Sequence, residues 1–177
     1  VSHNTAGHNF TSAVKGISHI IDGPGEYEIG GVFITGIHTN GHVKKTQDEP
    51  RNTMYLIDYN GINVLHLGDV NRVPSQAEVE SLGPVHVALV PVGAGGSLTA
   101  IKATEVISLL EPNIVIPMHY ATAHSANTSV KLEPLSRFLK EMGLGSLESV
   151  PSIKIPNAKS LPDETRVVVL EYQKNSQ

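Results

Sequence analysis

Met54-Tyr55-Leu56-Ile57-Asp58-Tyr59-Asn60-Gly61-Ile62-Asn63-Val64-Leu65-His66-Leu67-Gly68-Asp69 is a pair of apolar runs divided by Asn60-Gly61 and ended by a glycine and a carboxylate. Asn-Gly between apolar runs predicts a tight β-hairpin, because a type I′ turn needs positive φ at both central residues. The second run then reads as a buried strand that delivers Asp69 to its end. In layered α/β folds, binding sites gather at strand ends, so Asp69 is a candidate ligand. The alternative is a carboxylate that only caps its own turn.

Downstream, the pattern turns parallel. Ser75-Gln76-Ala77-Glu78 has the spacing of a capping box, which predicts a short helix to about Leu82 that ends near Gly83-Pro84. Val85 to Val92 is a continuous apolar run, Thr99 to Leu110 carries Ala103, Val106, Ile107 and Leu110 at helical spacing, and Ile114-Val115-Ile116 is apolar again. Strand, helix, strand predicts a βαβ unit with a parallel pair buried on both faces. Pro117-Met118 closes that strand and delivers His119 much as the earlier one delivers Asp69. Leu132, Leu135, Phe138, Leu139 and Met142 predict another helix, residues 144 to 163 read as irregular, and Arg166 to Tyr172 reads as a last strand.

Upstream, Tyr27 to Thr35 alternates around Gly30-Gly31 and predicts a hairpin or bulged pair, whereas Gly36 to Arg51 is polar and reads as a long surface loop. A helix start is expected near Asn9 or Thr11. Val1-Ser2-His3 reads as the end of a strand already under way, followed by a polar loop with His3 and His8.

Composition narrows the function classes. The chain has 177 residues, 40% of them hydrophobic, which suits one domain over residues 1–177. Thirteen basic against 17 acidic residues give a formal net charge of −4, and no basic cluster exceeds Lys44-Lys45, so a nucleic-acid partner is not expected. No apolar run approaches the ~18 residues of a membrane span. The chain has no cysteine, which excludes disulfides and thiolate metal sites and suits a reducing, cytoplasmic setting.

A transition-metal site must therefore use imidazole and carboxylate. Candidates at turns are His3 and His8, Asp69 and His119 at strand ends, and His38 and His42 in the long loop. His66 and His86 lie in or beside apolar strands, where a structural histidine is the expectation. Gly93-Ala94-Gly95-Gly96-Ser97 lacks the lysine of a phosphate-binding P-loop and reads as a βα turn near the site. No Gly-x-Ser-x-Gly elbow occurs, which speaks against a serine hydrolase.

The order of motifs is similar to that of the metallo-β-lactamase-fold superfamily, and within it to the branch of small metal-dependent hydrolases. The matching pieces are His3-x-x-x-x-His8, Gly25-Glu26-Tyr27-Glu28-Ile29, Asn52 to Asp58, His66-Leu67-Gly68-Asp69 and Ile114-Val115-Ile116-Pro117-Met118-His119-Tyr120. The resemblance implies an αβ/βα sandwich with the metal site at one edge, and strands that precede Val1 in relatives. It implies that His3 and His8 match the ends of a His-x-His-x-Asp-His loop. Thr5 and Gly7 stand where that loop has its second histidine and its aspartate. It also implies that Asp69 is the carboxylate shared between ions and His119 the last histidine of the second site, leaving His38 or His42 for the remaining position.

The expectation is a partly dismantled site for one ion of zinc, with iron or manganese as alternatives. His3, His8, Asp69, His119 and His42 would be its ligands, with Asp69 and His119 as the catalytic pair. The corresponding activity is hydrolysis of an ester, amide or phosphodiester in a small-molecule substrate by water that the ion activates. The alternative is a fold-retaining protein that has lost catalysis and binds a small molecule or a protein. An exposed edge of the sheet would suit association of a second copy.

Overall fold

The computed structural model describes residues 1–5, 8–39, 52–123, 125 and 130–172. Seven strands form one mixed sheet in sequential order: β1 Gly25–Ile29, β2 Val32–His38, β3 Thr53–Tyr59, β4 Ile62–His66, β5 Val87–Pro91, β6 Ile114–Met118 and β7 Arg166–Val167. The first four strands pair antiparallel and the last four parallel. The mixed α/β class expected from the sequence therefore holds.

Both predicted hairpins are present. Gly30-Gly31 and Asn60-Gly61 turn with φ of 59°, 80°, 52° and 75°, the positive values a two-residue hairpin demands. The parallel half is built by α1 Gln76–Leu82, which joins β4 to β5, and α2 Ala100–Leu110, which joins β5 to β6. Ser75 caps α1: its hydroxyl accepts from the Glu78 amide, while the Glu78 carboxylate accepts from the Ser75 amide at 2.8 Å. Thr99 caps α2 by accepting from the Lys102 amide. A third helix, α3 Leu135–Glu141, buries Phe138 and Leu139.

Alternation along the strands divides the molecule into two packed layers. Met54, Leu65, Ala88, Val90 and Val115 point to the face covered by the helices, where Leu82, Ala103, Val106, Ile107, Leu110 and Phe138 complete the main core. Val64, Val87, Leu89, Ile114 and Ile116 point to the other face, against Val150, Ile153, Ile155 and Leu161 of the irregular C-terminal segment.

Three local expectations differ in detail. The predicted early helix is a single 3-10 turn, Thr11–Ala13, with no buried residue to extend it. The expected loop from Gly36 begins later, because β2 continues to His38, and residues 40–51 lie outside the described residues. The expected strand from Arg166 to Tyr172 pairs with β6 only at Arg166 and Val167; beyond them Leu170 leaves that pairing to bridge Val150. Among the described residues, no helix is long and apolar enough to cross a membrane.

Candidate metal centre

The register brings one edge of the sheet together. His38 at the end of β2 lies opposite Thr53 at the start of β3, Tyr55 opposite His66 of β4, His66 beside Leu89 of β5, and Pro91 beside Met118 of β6. Residues just past β4, β5 and β6 therefore share an edge with the residue that precedes β3. Asp69, Gly93, His119 and Asn52 hold those positions.

Asn52 ties this edge together. It is 2% exposed, and its side-chain oxygen accepts from the Asp69 amide at 2.8 Å. Its side-chain nitrogen donates to Leu67 O at 3.0 Å and to Thr39 Oγ1 at 3.1 Å. One amide thus joins the ends of β2, β3 and β4 and sets where Asp69 emerges. Gly68 makes that approach possible: at φ 62° it is left-handed, and a Cβ there would lie 2.3 Å from Asn52 Oδ1.

The first loop docks on the same edge. The Thr53 amide donates to Ser2 O at 2.7 Å, Tyr55 Oη donates to Val1 O at 2.8 Å, and the Val1 amino group donates to Ile21 O at 2.7 Å. Turns in which the Thr5 amide donates to His3 O and the His8 amide to Thr5 O bring the two imidazoles to a centroid separation of 4.3 Å. His3 Nε2 and His8 Nε2 each lie 3.9 Å from Asp69 Oδ2.

His119 meets the other oxygen of the same carboxylate, with its ring centroid 5.7 Å from that of His8. It leaves β6 at φ 53°, and its Nδ1 stands 3.8 Å from Asp69 Oδ1 and 3.1 Å from Ser97 Oγ. The backbone of His119 packs directly on Gly93, where a Cβ would come 2.2 Å from His119 O, so only glycine fits the strand end beside it.

The donor set fits a metal ion. Ligand atoms of His3, His8 and Asp69 all lie within 4.8 Å of one another, too far apart for strong mutual hydrogen bonds and close enough to share one cation. His3 Nδ1 and Asp69 Oδ1 are buried without a hydrogen-bond partner among the described residues. Two imidazoles with one carboxylate match the ligand types of zinc and of non-haem iron. Burial first, then the neighbouring His8 and His119, lower the pKa of His3, while Asp69 partly opposes them. Burial also lowers that of His119, against Asp69 and with His8. Both rings are thereby biased toward the neutral form that can bind a metal.

Of the predicted ligands, the fold brings together His3, His8, Asp69 and His119. His38 ends β2 with its Nδ1 3.4 Å from Thr53 Oγ1, and His42 lies outside the described residues. His66 and His86 behave as structural histidines: their Nδ1 atoms accept from the amides of Gly68 at 3.0 Å and Asn63 at 2.9 Å. Sequence reasoning assigned no role to Asn52 or Ser97. The only signals were a polar residue at the head of an apolar strand and a serine at the end of a glycine-rich turn, and neither shows which distant group it meets.

Comparison with known proteins places the chain. Residues 1–119 match the β-lactamase superfamily domain family. A metal-dependent hydrolase from Pyrococcus horikoshii is 31% identical over 102 residues, covering 55% of this chain and 44% of that protein. One from Pyrococcus abyssi is 29% identical over 112 residues, covering 61% and 49%. The matched stretch is thus about half the length of those curated relatives. The crystal structure of a Thermotoga maritima protein, described as a zinc-dependent hydrolase of the metallo-β-lactamase superfamily, superposes with a TM-score of 0.75 at 35% identity, over 97% of this chain and 80% of that one. Unliganded yeast PDE1, at 14% identity and a TM-score of 0.51 over 85% of this chain and 47% of that one, shares the fold alone. With strand order, edge site and sequence profile in agreement, the chain belongs to the metallo-β-lactamase superfamily.

Proposed function

We propose that this chain is a metal-dependent hydrolase with a single-ion centre held by His3 Nε2, His8 Nε2 and Asp69 Oδ2. The observation that carries the proposal is the convergence of those three atoms, with the other oxygen of the carboxylate buried and without a hydrogen-bond partner among the described residues. Zinc is the first choice, with iron or manganese as alternatives of the same donor chemistry. When bound, such an ion supplies Lewis acidity and lowers the pKa of a coordinated water toward ~7.

The protein's own residues would do the rest. Asp69 brings the negative charge that offsets the cation. His119 stands beside His8, with ring centroids 5.7 Å apart, where it can hold or pass a proton beside the reacting group. A cavity of about 770 Å³ adjoins the cluster through His8 and Ser2, and is lined by Ile29, Ile34, Tyr55, Ile57 and His66. Its volume suits a small organic molecule, and its aliphatic walls favour an ester, amide or phosphodiester with an apolar part.

Thr5, where the resemblance places an imidazole, favours a second reading: a protein that binds a small molecule in this cavity without turning it over. Kinetics on model ester, amide and phosphodiester substrates separate the two. For the zinc-reconstituted protein, the hydrolase predicts turnover that is lost on chelation, restored by added metal and absent in Asp69→Asn. Tight binding of substrate analogues with no turnover of any class in the zinc-loaded protein favours the binding module.

A further inference from the structure

We propose that Ser97 is a positioning residue that fixes the tautomer of His119, placing its proton on Nδ1 and reserving the Nε2 lone pair for the site. Ser97 is 8% exposed at the end of the Gly93–Ser97 turn. Its hydroxyl carries one proton, and that proton has a destination: Ser97 Oγ donates to Ala94 O at 2.8 Å. The turn is closed around that contact, with the Ser97 amide also donating to Ala94 O at 3.2 Å and the Ala94 amide to Leu98 O at 2.9 Å.

With its proton committed, Ser97 Oγ meets His119 Nδ1 at 3.1 Å as an acceptor, so Nδ1 must carry the hydrogen. Asp69 Oδ1 favours the same choice. It lies 3.8 Å from that nitrogen and has no hydrogen-bond partner among the described residues, so an N–H there is attracted where a lone pair would be repelled. The opposite polarity would take the hydroxyl proton from Ala94 O and set a nitrogen lone pair against the carboxylate. A neutral imidazole has a single N–H, so Nε2 is left as the atom that can receive a proton.

The consequence for turnover rests on the function proposed above, but the tautomer does not, and the two are tested separately. In metal-free, ¹⁵N-histidine-labelled protein at a pH where the ring is neutral, long-range ¹H–¹⁵N correlation spectra report which nitrogen is protonated, and His119→Gln assigns the signals. The wild type is expected to show Nδ1–H. Ser97→Ala is expected to move His119 away from that tautomer and to lower turnover by the zinc-reconstituted protein about 10- to 100-fold, as loss of a partner that orients a functional imidazole commonly does. Ser97→Thr, which keeps a hydroxyl, is expected to preserve both. An Nε2–H tautomer in the wild type, or an unchanged Nδ1–H in Ser97→Ala, overturns the proposal. A tautomer that responds as stated in a protein that binds no zinc upholds Ser97 and removes only the metal reading.

Discussion

Asp69 is held by its backbone rather than by its carboxylate. The amide is fixed by Asn52, while Oδ2 faces His3 and His8 and Oδ1 faces His119. An acid left in that condition is poised for a cation. Removing Asn52 tests this division of labour, because it leaves the Asp69 amide, Leu67 O and Thr39 Oγ1 each short of a bond in a buried place. Asn52→Ala is expected to lower unfolding free energy by about 2 to 4 kcal/mol and to weaken metal binding as well. Chemical denaturation paired with metal titration checks it, and a variant that keeps wild-type metal affinity would show that Asn52 serves the fold alone. The place of Asp69 just past the end of β4 is legible in the sequence, because the apolar run stops on Gly68-Asp69. Asn52 and Ser97 are not, because their roles depend on partners 17 and 22 residues away.

The elements around the edge differ in what they ask of the sequence. The hairpins and α1 rest on local chemistry, an Asn-Gly turn and a capping box, and a short window of residues is enough to place them. Ser75→Ala removes the acceptor for the Glu78 amide and is expected to cost about 1 kcal/mol with no change in metal content. A loss of metal in that variant would mean that α1 supports the site. Glu78 is also paired with Arg72, which holds its carboxyl at about 2, so this end of α1 keeps its contribution above pH 4.5 and loses it as pH falls toward about 2. Close approaches between elements are a different matter. Gly93→Ala would force the end of β5 away from His119 O, with an expected cost of about 3 kcal/mol or more and a displaced His119. Nothing local to Gly93 discloses that the backbone of β6 lies against it. The short β7 has a similar cause: Val168 and Leu170 are apolar enough for a strand, but they pack against the C-terminal segment that covers the sheet's second face.

Taken as a whole, the molecule places histidines where burial keeps them neutral. His3, His66 and His119 all titrate below their ordinary value, with burial as the leading cause. The unfolded chain therefore takes up protons, as pH falls through 6.5, that the folded chain refuses. Stability of the metal-free protein should be complete above that pH and decline as pH drops through the lower folded values. Thermal melts between about pH 8 and 5 lie above the Glu78 window and read this effect together with that of the Val1 amino group, which burial also holds below its ordinary value. A midpoint that stays flat across that range would contradict the assignment. The class of the fold and its parallel half are readable as periodicity. The sequential strand order, and the meeting of His3, His8 and His119 on one carboxylate, depend on pairings that no local window contains.

Metal content reads out whether His3, His8 and Asp69 together hold one ion. Protein purified without a metal-affinity tag, reconstituted with zinc and freed of excess, should retain about one equivalent by mass spectrometry. Asp69→Ala and His3→Ala should each retain almost none while keeping the wild-type far-UV spectrum. Sub-stoichiometric zinc in the wild type under metal-replete conditions, or full retention in Asp69→Ala, would mean that these three side chains do not hold an ion.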